Sequence, residues 1–122
     1  MAILMSIDTF NTEKGDLSVA EKLLPNGIKR VYYIKNVPEG SIRGGHRHKK
    51  TTQALITIQG SCLVETDNGT EKKQSLLDSS EKCLLLQPED FHTMFAFTSD
   101  CILLVLANEE YSVDDYIDEP YP

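Results

Sequence analysis

The chain has 122 residues, of which 40% are hydrophobic and 25% are charged, and this balance excludes a disordered or membrane-embedded protein. The net charge of −7 disfavours a surface for nucleic acid or anionic membrane, and no apolar run is long enough to span a bilayer. The N-terminus lacks the basic flank and cleavage pattern of a signal peptide. We therefore expect a single cytoplasmic domain over residues 1–122.

Short β-prone segments, separated by turn residues, follow one another along most of the chain. Residues 16–24 fit either a mildly helical segment or a strand with one polar face. Asn68 and Gly69 predict a hairpin with a type I′ turn, which needs positive φ at both central residues. Many short strands at close spacing are typical of a β-sandwich or a β-barrel. The predicted strands are 28–34, 53–59, 62–67, 71–77, 82–87, 92–97 and 101–107.

Two of these strands are apolar on both faces, in the runs LITI (55–58) and ILLVLA (102–107). One face of each strand in a lone barrel should meet water, so we expect a second surface to be buried. A homodimer that packs or exchanges strands would bury it. Cysteines 62, 83 and 101 lie in apolar runs without metal-ligand spacing, and we expect them to be buried and free.

Charge is unevenly distributed along the chain. Residues 43–50 form a basic cluster that can bind a small anionic ligand, and acids accumulate in the last fourteen residues. Within 109–117, Ser112 precedes Asp115 by three residues, which is the spacing of a capping box and predicts a short helical turn.

The segment from residue 40 to residue 60 carries the most specific pattern, G-SIRGG-H-R-H-KKTT-Q-ALITIQ-G. It resembles the first cupin motif, G-x5-H-x-H-x4-E-x6-G, at every spacing, except that Gln53 stands where the motif has Glu. Residues two apart in a strand share a face, so His46 and His48 are expected to project together. Gln53, on the neighbouring strand, can reach the same cavity.

A weaker match lies at residues 88–92, Pro-Glu-Asp-Phe-His, which resembles the second cupin motif with Asp90 near the position of its Gly. All three histidines of the chain thus fall on the motif pair. The two resemblances predict an all-β fold, the cupin double-stranded β-helix or jelly-roll barrel, with the histidines at its mouth.

Spacing alone leaves two chemistries open. Many cupins bind a divalent metal through histidines and a glutamate, and imidazole suits zinc, iron, copper or nickel. Gln53 removes the anionic ligand, and a neutral amide is a poorer partner for a dication. The alternatives are a weakened metal site or a metal-free site in which histidine acts as acid and base near neutral pH.

A closer resemblance covers residues 28–117. The strings that carry it are KRVYYI (29–34), RGGHRHK (43–49), IQGSCLV (58–64), FHTMFAFTSDC (91–101) and LVLANEEYSVDDYI (104–117). They resemble the sugar 3,4-ketoisomerases, a cupin family of the WxcM-like C-terminal type. The resemblance implies a homodimer with exchanged strands and a reaction without metal or other cofactor. The implied reaction moves the keto group of a dTDP-linked 4-keto-6-deoxyhexose from C4 to C3, in the biosynthesis of 3-amino-3,6-dideoxysugars for surface glycans.

The same resemblance assigns the site. The catalytic histidines of the family fall on His46 and His48, and its motif arginine and tyrosine fall on Arg43 and Tyr32. A base removes the C3 hydrogen and an enediolate forms, so we expect His48 to move the C–H proton and His46 the oxygen proton. Arg43 and Tyr32 would stabilise the oxyanion. The expected substrate-binding residues are Gln53, Lys50 and His92.

Two other classes of function remain open from the sequence. One is a metal-dependent cupin enzyme, such as a dioxygenase, and the other is a non-catalytic sugar-binding barrel. The glycine at position 45, where the ketoisomerases usually have an apolar residue, leaves the sugar and the C4 configuration of the product undetermined.

Overall fold

Twelve strands and one turn of 3-10 helix make up the computed structural model, which describes residues 1–122. No helix in it has the length and apolarity needed to cross a membrane. The strands are β1 (Ile3–Ser6), β2 (Asp8–Thr12), β3 (Gly15–Val19), β4 (Arg30–Lys35), β5 (Arg43–His48), β6 (Gln53–Gln59), β7 (Cys62–Asp67), β8 (Lys72–Leu77), β9 (Lys82–Leu86), β10 (Phe91–Phe95), β11 (Ile102–Ala107) and β12 (Tyr116–Ile117); the 3-10 turn is Val113–Asp115.

The strands form two five-stranded antiparallel sheets. One has the order β1-β9-β6-β11-β4 and the other the order β12-β5-β10-β7-β8, so strands that neighbour each other in a sheet are mostly distant in sequence. Strands β2 and β3 pair only with each other. This interleaving is the jelly-roll arrangement, and the predicted all-β cupin fold is confirmed.

The core between the two sheets is built by alternate residues of each strand. Leu55 and Leu103 from the first sheet meet Val64 and Leu77 from the second, and each of the four is at most 1% exposed. Because successive side chains of a strand point to opposite faces, the residues next to them, such as Leu104, point away from this core.

A second apolar cluster covers the outer face of the first sheet. Ala54, Ile56 and Leu106 pack there, and residues of the N-terminal third of the chain, including Met5 and Leu23, lie against them. The expectation that the apolar strands bury a second surface is confirmed, but the chain's own N-terminal segments cover it. The two-sided pattern of LITI and ILLVLA therefore does not by itself require a partner.

Most predicted strands are present, with shifted ends. Strands 53–59 and 62–67 are observed with the predicted bounds, and the segment 16–24 overlaps a strand, Gly15–Val19, rather than a helix. The three cysteines are free and at most 2% exposed, as expected. Strands β1, β2 and β12 were not predicted, because their short runs carry little alternation.

Two local predictions are wrong in detail. The hairpin at Asn68 is present, but its loop has four residues, and only Gly69 has positive φ (94°). The side-chain oxygen of Asn68 accepts the N–H groups of Thr70 (3.0 Å) and Glu71 (2.9 Å), which favours this wider turn over type I′. The helical turn of the tail is present, but no side chain caps it; instead the Asp115 N–H donates to the Ser112 carbonyl at 3.1 Å.

A β-bulge positions the histidines. The pairing of β5 with β10 joins His46 to His92 and Gly44 to Thr93, so Gly45 is an extra residue on β5. Gly44 and Gly45 have φ of 83° and 82°, a region that side chains disfavour. A Cβ on Gly44 would also lie 2.8 Å from the carbonyl oxygen of His92. Glycine at both positions lets the two strands approach and brings His46 opposite His92.

Candidate active site

Three histidines cluster where β5 and β10 meet. His46 and His48 lie two residues apart on β5, and His92 lies on β10 directly opposite His46. The ring centroids are 5.3 Å apart for His46 and His48, 4.9 Å for His46 and His92, and 6.0 Å for His48 and His92. The predicted common direction of His46 and His48 is present, and His92 joins them.

The cluster adjoins a cleft of ≈ 150 Å³ between β4 and β5. His46 is half-buried on the cleft wall, whereas His48 lies one layer deeper and is 5% exposed. Both cations of the cleft are arginines. The lining residues are Arg30, Tyr32, Ile34, Arg43, Gly44, His46, His92, Met94 and Tyr116.

His48 is held by a carboxylate from the end of the chain. Its Nδ1 lies 2.8 Å from Oδ2 of Asp115, and both side chains are less than 5% exposed. The carboxylate also accepts the backbone N–H of Lys50 at 2.9 Å and the hydroxyl of Thr51. The opposite ring nitrogen of His48, Nε2, is buried and has no hydrogen-bond partner.

His92 is held by a backbone group. Its Nδ1 donates to the carbonyl oxygen of Asp90 at 3.1 Å. The Asp90 side chain accepts the N–H of Gln87 at 2.8 Å, which fixes the turn before β10. Asp90, which lies near the glycine position of the second cupin motif, thus orients His92.

All three imidazoles favour the neutral form. Burial lowers the pKa of His46, and the nearby His48 lowers it further. Burial also lowers the pKa of His48, by more than its hydrogen bond to Asp115 raises it. For His92 burial lowers the pKa to about 3. Neutral imidazoles with a free ring nitrogen can accept protons near pH 7.

An aromatic and cationic group forms the opposite wall. The Arg30 guanidinium lies 4.2 Å from the centroid of the Tyr32 ring, and its Nη1 lies 3.5 Å from the hydroxyl of Tyr116. The Tyr116 ring contacts His46 and His48, with centroids 4.6 Å from each. Burial raises the pKa of Tyr32, so its phenol stays protonated.

A family model described as FdtA, WxcM-like, C-terminal, matches residues 2–121. The chain belongs to this family. It is 42% identical over 106 residues to a TDP-4-oxo-6-deoxy-alpha-D-glucose-3,4-oxoisomerase of Aneurinibacillus thermoaerophilus, an alignment that covers 85% of this chain and 76% of that protein. The resemblance drawn from the sequence strings is therefore confirmed.

Solved structures agree in fold and in family. The TDP-fucose-3,4-ketoisomerase WlaRA of Campylobacter jejuni superposes with a TM-score of 0.91 at 32% identity, over 97% of this chain and 89% of that chain. A mutant of the 3,4-ketoisomerase QdtA of Thermoanaerobacterium thermosaccharolyticum, in complex with TDP-4-keto-6-deoxyglucose, superposes with a TM-score of 0.90 at 36% identity. The match covers 97% of this chain and 87% of that chain.

The FdtA-family chain brings most of the predicted site residues together. Tyr32, Arg43, His46 and His92 line the cleft, and His48 adjoins it. Gln53 forms no hydrogen bond with a histidine; its amide nitrogen donates to the Tyr32 hydroxyl oxygen at 3.1 Å.

Lys50 is not brought to the cleft. Its side chain is 67% exposed, and its ammonium nitrogen lies 3.8 Å from Glu109. The tight turn after β5 sends this side chain to another face, so the basic cluster of residues 43–50 does not act as one patch. Tyr33, next to Tyr32 on β4, is 61% exposed because alternate residues of a strand face opposite sides.

Sequence reasoning missed Arg30, Asp115 and Tyr116. Arg30 and Tyr116 lie inside strings that carried the family resemblance, yet no motif spacing singled them out. The sequence pattern indicated Asp115 only as an acid of the C-terminal tail and as the end of a capping-box spacing, not as a site residue. Its hydrogen bond to His48 spans 67 residues of sequence, a separation at which no periodicity connects two positions.

The residues able to hold a metal ion are the three histidines, whose donor atoms lie within 4.8 Å of one another. All three are neutral donors, a set that suits zinc, copper or nickel. The chain adds no carboxylate at the cupin glutamate position, where Gln53 instead binds Tyr32.

The buried neutral histidines predict acid sensitivity. The pKa of His92 is about 3 in the folded chain and about 6.5 in an unfolded one, so the unfolded state binds more protons between these values. The free energy of unfolding should therefore fall as the pH is lowered from about 7 to about 5, with His92 contributing up to ~1.4 kcal/mol per pH unit. Urea unfolding across this range measures the slope. In His92→Gln the slope should be shallower, and an equal slope would contradict the assignment.

Proposed function

We propose that this protein is a sugar-nucleotide 3,4-ketoisomerase that moves the keto group of a dTDP-linked 4-keto-6-deoxyhexose from C4 to C3. The observation that carries the proposal is the pair of neutral imidazoles, His46 and His48, beside a cleft whose cations are arginines. The 42% identical oxoisomerase supports it. The product is a 3-keto sugar of the kind required for 3-amino-3,6-dideoxysugars of surface glycans, as the sequence resemblance implies.

Each histidine has one proton-transfer role in this proposal. His48 takes the C3 hydrogen, which the 4-ketone acidifies, and delivers a proton to C4. His46 takes the O3 proton and delivers one to O4, so the enediolate collapses to the 3-ketone and no atom is gained or lost. Both roles begin from a neutral imidazole, which agrees with the lowered pKa values of both residues. Nε2 of His48 is buried, and the Tyr116 ring is one of the groups packed against this imidazole. Substrate must therefore displace part of this packing to reach Nε2.

Tyr32 and Arg43 stabilise the enediolate oxygens. The Tyr32 oxygen accepts a hydrogen bond from the Gln53 amide, which leaves the phenolic hydrogen free to donate to substrate. A glutamate at position 53 would instead accept that hydrogen. The need for this donor gives a physical reason for Gln53 at the cupin glutamate position.

The cleft also suits an anionic substrate. Arg30 and Arg43 place two guanidinium groups on the wall of a cleft in a chain of net charge −7. Guanidinium pairs well with phosphate oxygens, so Arg30 can bind the nucleotide diphosphate on an otherwise acidic protein, while Arg43 acts on the sugar oxygens. His92 would form part of the sugar-binding wall.

Incubation with dTDP-4-keto-6-deoxyglucose in deuterated water tests the reaction. We expect a 3-keto product with deuterium at ring carbons, detected by NMR, because the transferred C–H proton exchanges on histidine. His48→Asn should lower kcat by about 10²- to 10⁴-fold, the usual contribution of a general base.

Activity that a chelator abolishes and a stoichiometric metal restores would instead favour a metal-dependent cupin enzyme. Binding of the nucleotide sugar without conversion would favour a sugar-binding barrel.

Gln53→Glu tests the donor role of Tyr32. The carboxylate should capture the phenolic hydrogen and lower kcat by about 10²-fold, the cost of losing one oxyanion donor. Tyr32→Phe should lose a similar factor, and the double variant should lose no more than either single one. Additive losses in a kinetic double-mutant cycle would refute the shared role.

We infer that two copies of the chain, each folded as one cupin domain over residues 1–122, associate as a homodimer through the β2–β3 hairpin. Phe10 and Leu17 lie opposite each other on this hairpin and are 56% and 62% exposed. Strand β4 is an unpaired sheet edge whose outward residues Val31 and Tyr33 are 58% and 61% exposed. Exposed apolar surface of this kind marks an interface, and the hairpin of one copy can cover β4 of the other.

Sedimentation tests the dimer. The protein should sediment at twice its chain mass of 13.7 kDa, and the variant with Phe10→Ser and Leu17→Ser should sediment as a monomer because the apolar contact is lost. Leu76→Ser is the matched control, since Leu76 is 46% exposed on the other sheet. A monomeric parent protein, or a dimer that the hairpin substitutions leave intact, would contradict this interface.

We also infer a cytoplasmic location. The three buried cysteines are unpaired, as is usual where thiols are kept reduced. Fractionation of producing cells is the check, and recovery from an oxidising compartment would overturn it.

A further inference from the structure

We infer that Asp115 is a positioning residue for His48, which fixes the ring with its proton on Nδ1 and leaves Nε2 as the proton acceptor. The inference rests on the proposed isomerase function, in which His48 moves the C–H proton. It concerns a residue of the C-terminal tail that no cupin motif includes.

The contact itself determines the tautomer. A carboxylate can only accept hydrogen bonds, so the 2.8 Å contact between His48 Nδ1 and Asp115 Oδ2 requires the hydrogen on Nδ1. In a neutral imidazole Nε2 then carries a lone pair. That atom is buried without a partner, so no protein group competes for the proton it would receive.

The carboxylate is well placed to stay ionised. Burial raises the pKa of Asp115, but hydrogen bonds from Thr51, from the Lys50 N–H and from His48 outweigh burial and bring the pKa below its ordinary value. Asp115 is therefore an acceptor throughout the range in which the enzyme would work. The other charged and titratable groups near His48 are His46, His92, Arg30 and Tyr116, and none of them is a carboxylate.

The fold holds Asp115 from both sides. Its carbonyl oxygen accepts the Lys49 N–H at 2.9 Å, and the following residue, Tyr116, pairs with His48 in the short strand β12. The carboxylate thus lies behind His48, on the side away from the cleft, while Tyr116 covers the imidazole face. This tail segment completes the site that β5 and β10 begin.

Asp115→Asn should invert the tautomer rather than merely weaken the contact. The Lys50 N–H can only donate, so the amide oxygen of Asn must occupy the Oδ1 position. The amide NH₂ then occupies the Oδ2 position and donates to Nδ1 of His48. The ring proton is forced to Nε2, and the base is lost.

NMR of ring-labelled protein tests the tautomer without substrate. The chain has three histidines, so comparison with His48→Asn assigns the signals of this residue. We expect ¹⁵N shifts of protonated Nδ1 and unprotonated Nε2 in the parent protein, and the reverse in Asp115→Asn. Thr51→Val removes another hydrogen bond of the same carboxylate and should keep the Nδ1–H form. An unchanged tautomer in Asp115→Asn overturns the inference.

Kinetics supply the second measurement. Asp115→Asn should lower kcat by about 10²-fold or more with little change in KM. Loss of the carboxylate should also move the acid limb of the pH profile to lower pH, because the negative charge that raises the pKa of His48 is gone. Asp114→Asn removes the same charge from the exposed neighbouring residue and should match the parent protein.

The outcomes separate this inference from the proposed function. A parent protein that fails to isomerise the sugar refutes the function, whereas the NMR result still reports on the contact. An active parent with an equally active Asp115→Asn variant refutes the inference alone. A lower kcat with an unshifted pH profile and an unchanged tautomer indicates a structural role and also refutes it.

Discussion

The site depends on burying three imidazoles side by side while none of them carries charge. Water would ordinarily stabilise the imidazolium, and its exclusion lowers the pKa of His46, His48 and His92 together. Burial alone would leave polar ring atoms without partners. Fixed acceptors solve this for Nδ1 of two rings, the Asp115 carboxylate for His48 and the Asp90 carbonyl for His92. Nε2 of His48 has no partner in the protein and is left available to substrate.

The same logic of fixed partners extends to the opposite wall. The Gln53 amide occupies the acceptor side of the Tyr32 hydroxyl, and the Arg30 guanidinium stacks on the Tyr32 ring. The Tyr32 hydroxyl thus has its acceptor side satisfied by the protein and its hydrogen free to donate. The Tyr32 hydroxyl is therefore oriented as a hydrogen-bond donor before substrate enters, so little reorganisation is needed during the reaction.

At the cupin glutamate position, the presence of Gln53 instead of glutamate changes the chemistry that the site can perform. A carboxylate there would draw a cation toward the histidines. The neutral amide of Gln53 instead binds Tyr32 and leaves the cluster with imidazole donors alone. The barrel geometry is therefore compatible with acid–base chemistry, and the side chain that decides between metal binding and acid–base chemistry, Gln53, is contributed by β6.

Local pattern determined the strands and the histidine pair. Strands 53–59 and 62–67 were predictable because an apolar run ends at the turn of Gly60 and a second strand-like run lies between that turn and the turn at Asn68. The two-residue period of a strand places His46 and His48 on one face. The family resemblance determined which reaction to expect. Tertiary structure alone decided that the tail returns to place Asp115 behind His48, that Lys50 turns away, and that the N-terminal segments cover the outer face of the barrel. These contacts join residues far apart in the chain, and only the folded path of the backbone sets such distances, because no periodic pattern in the sequence links the two partners.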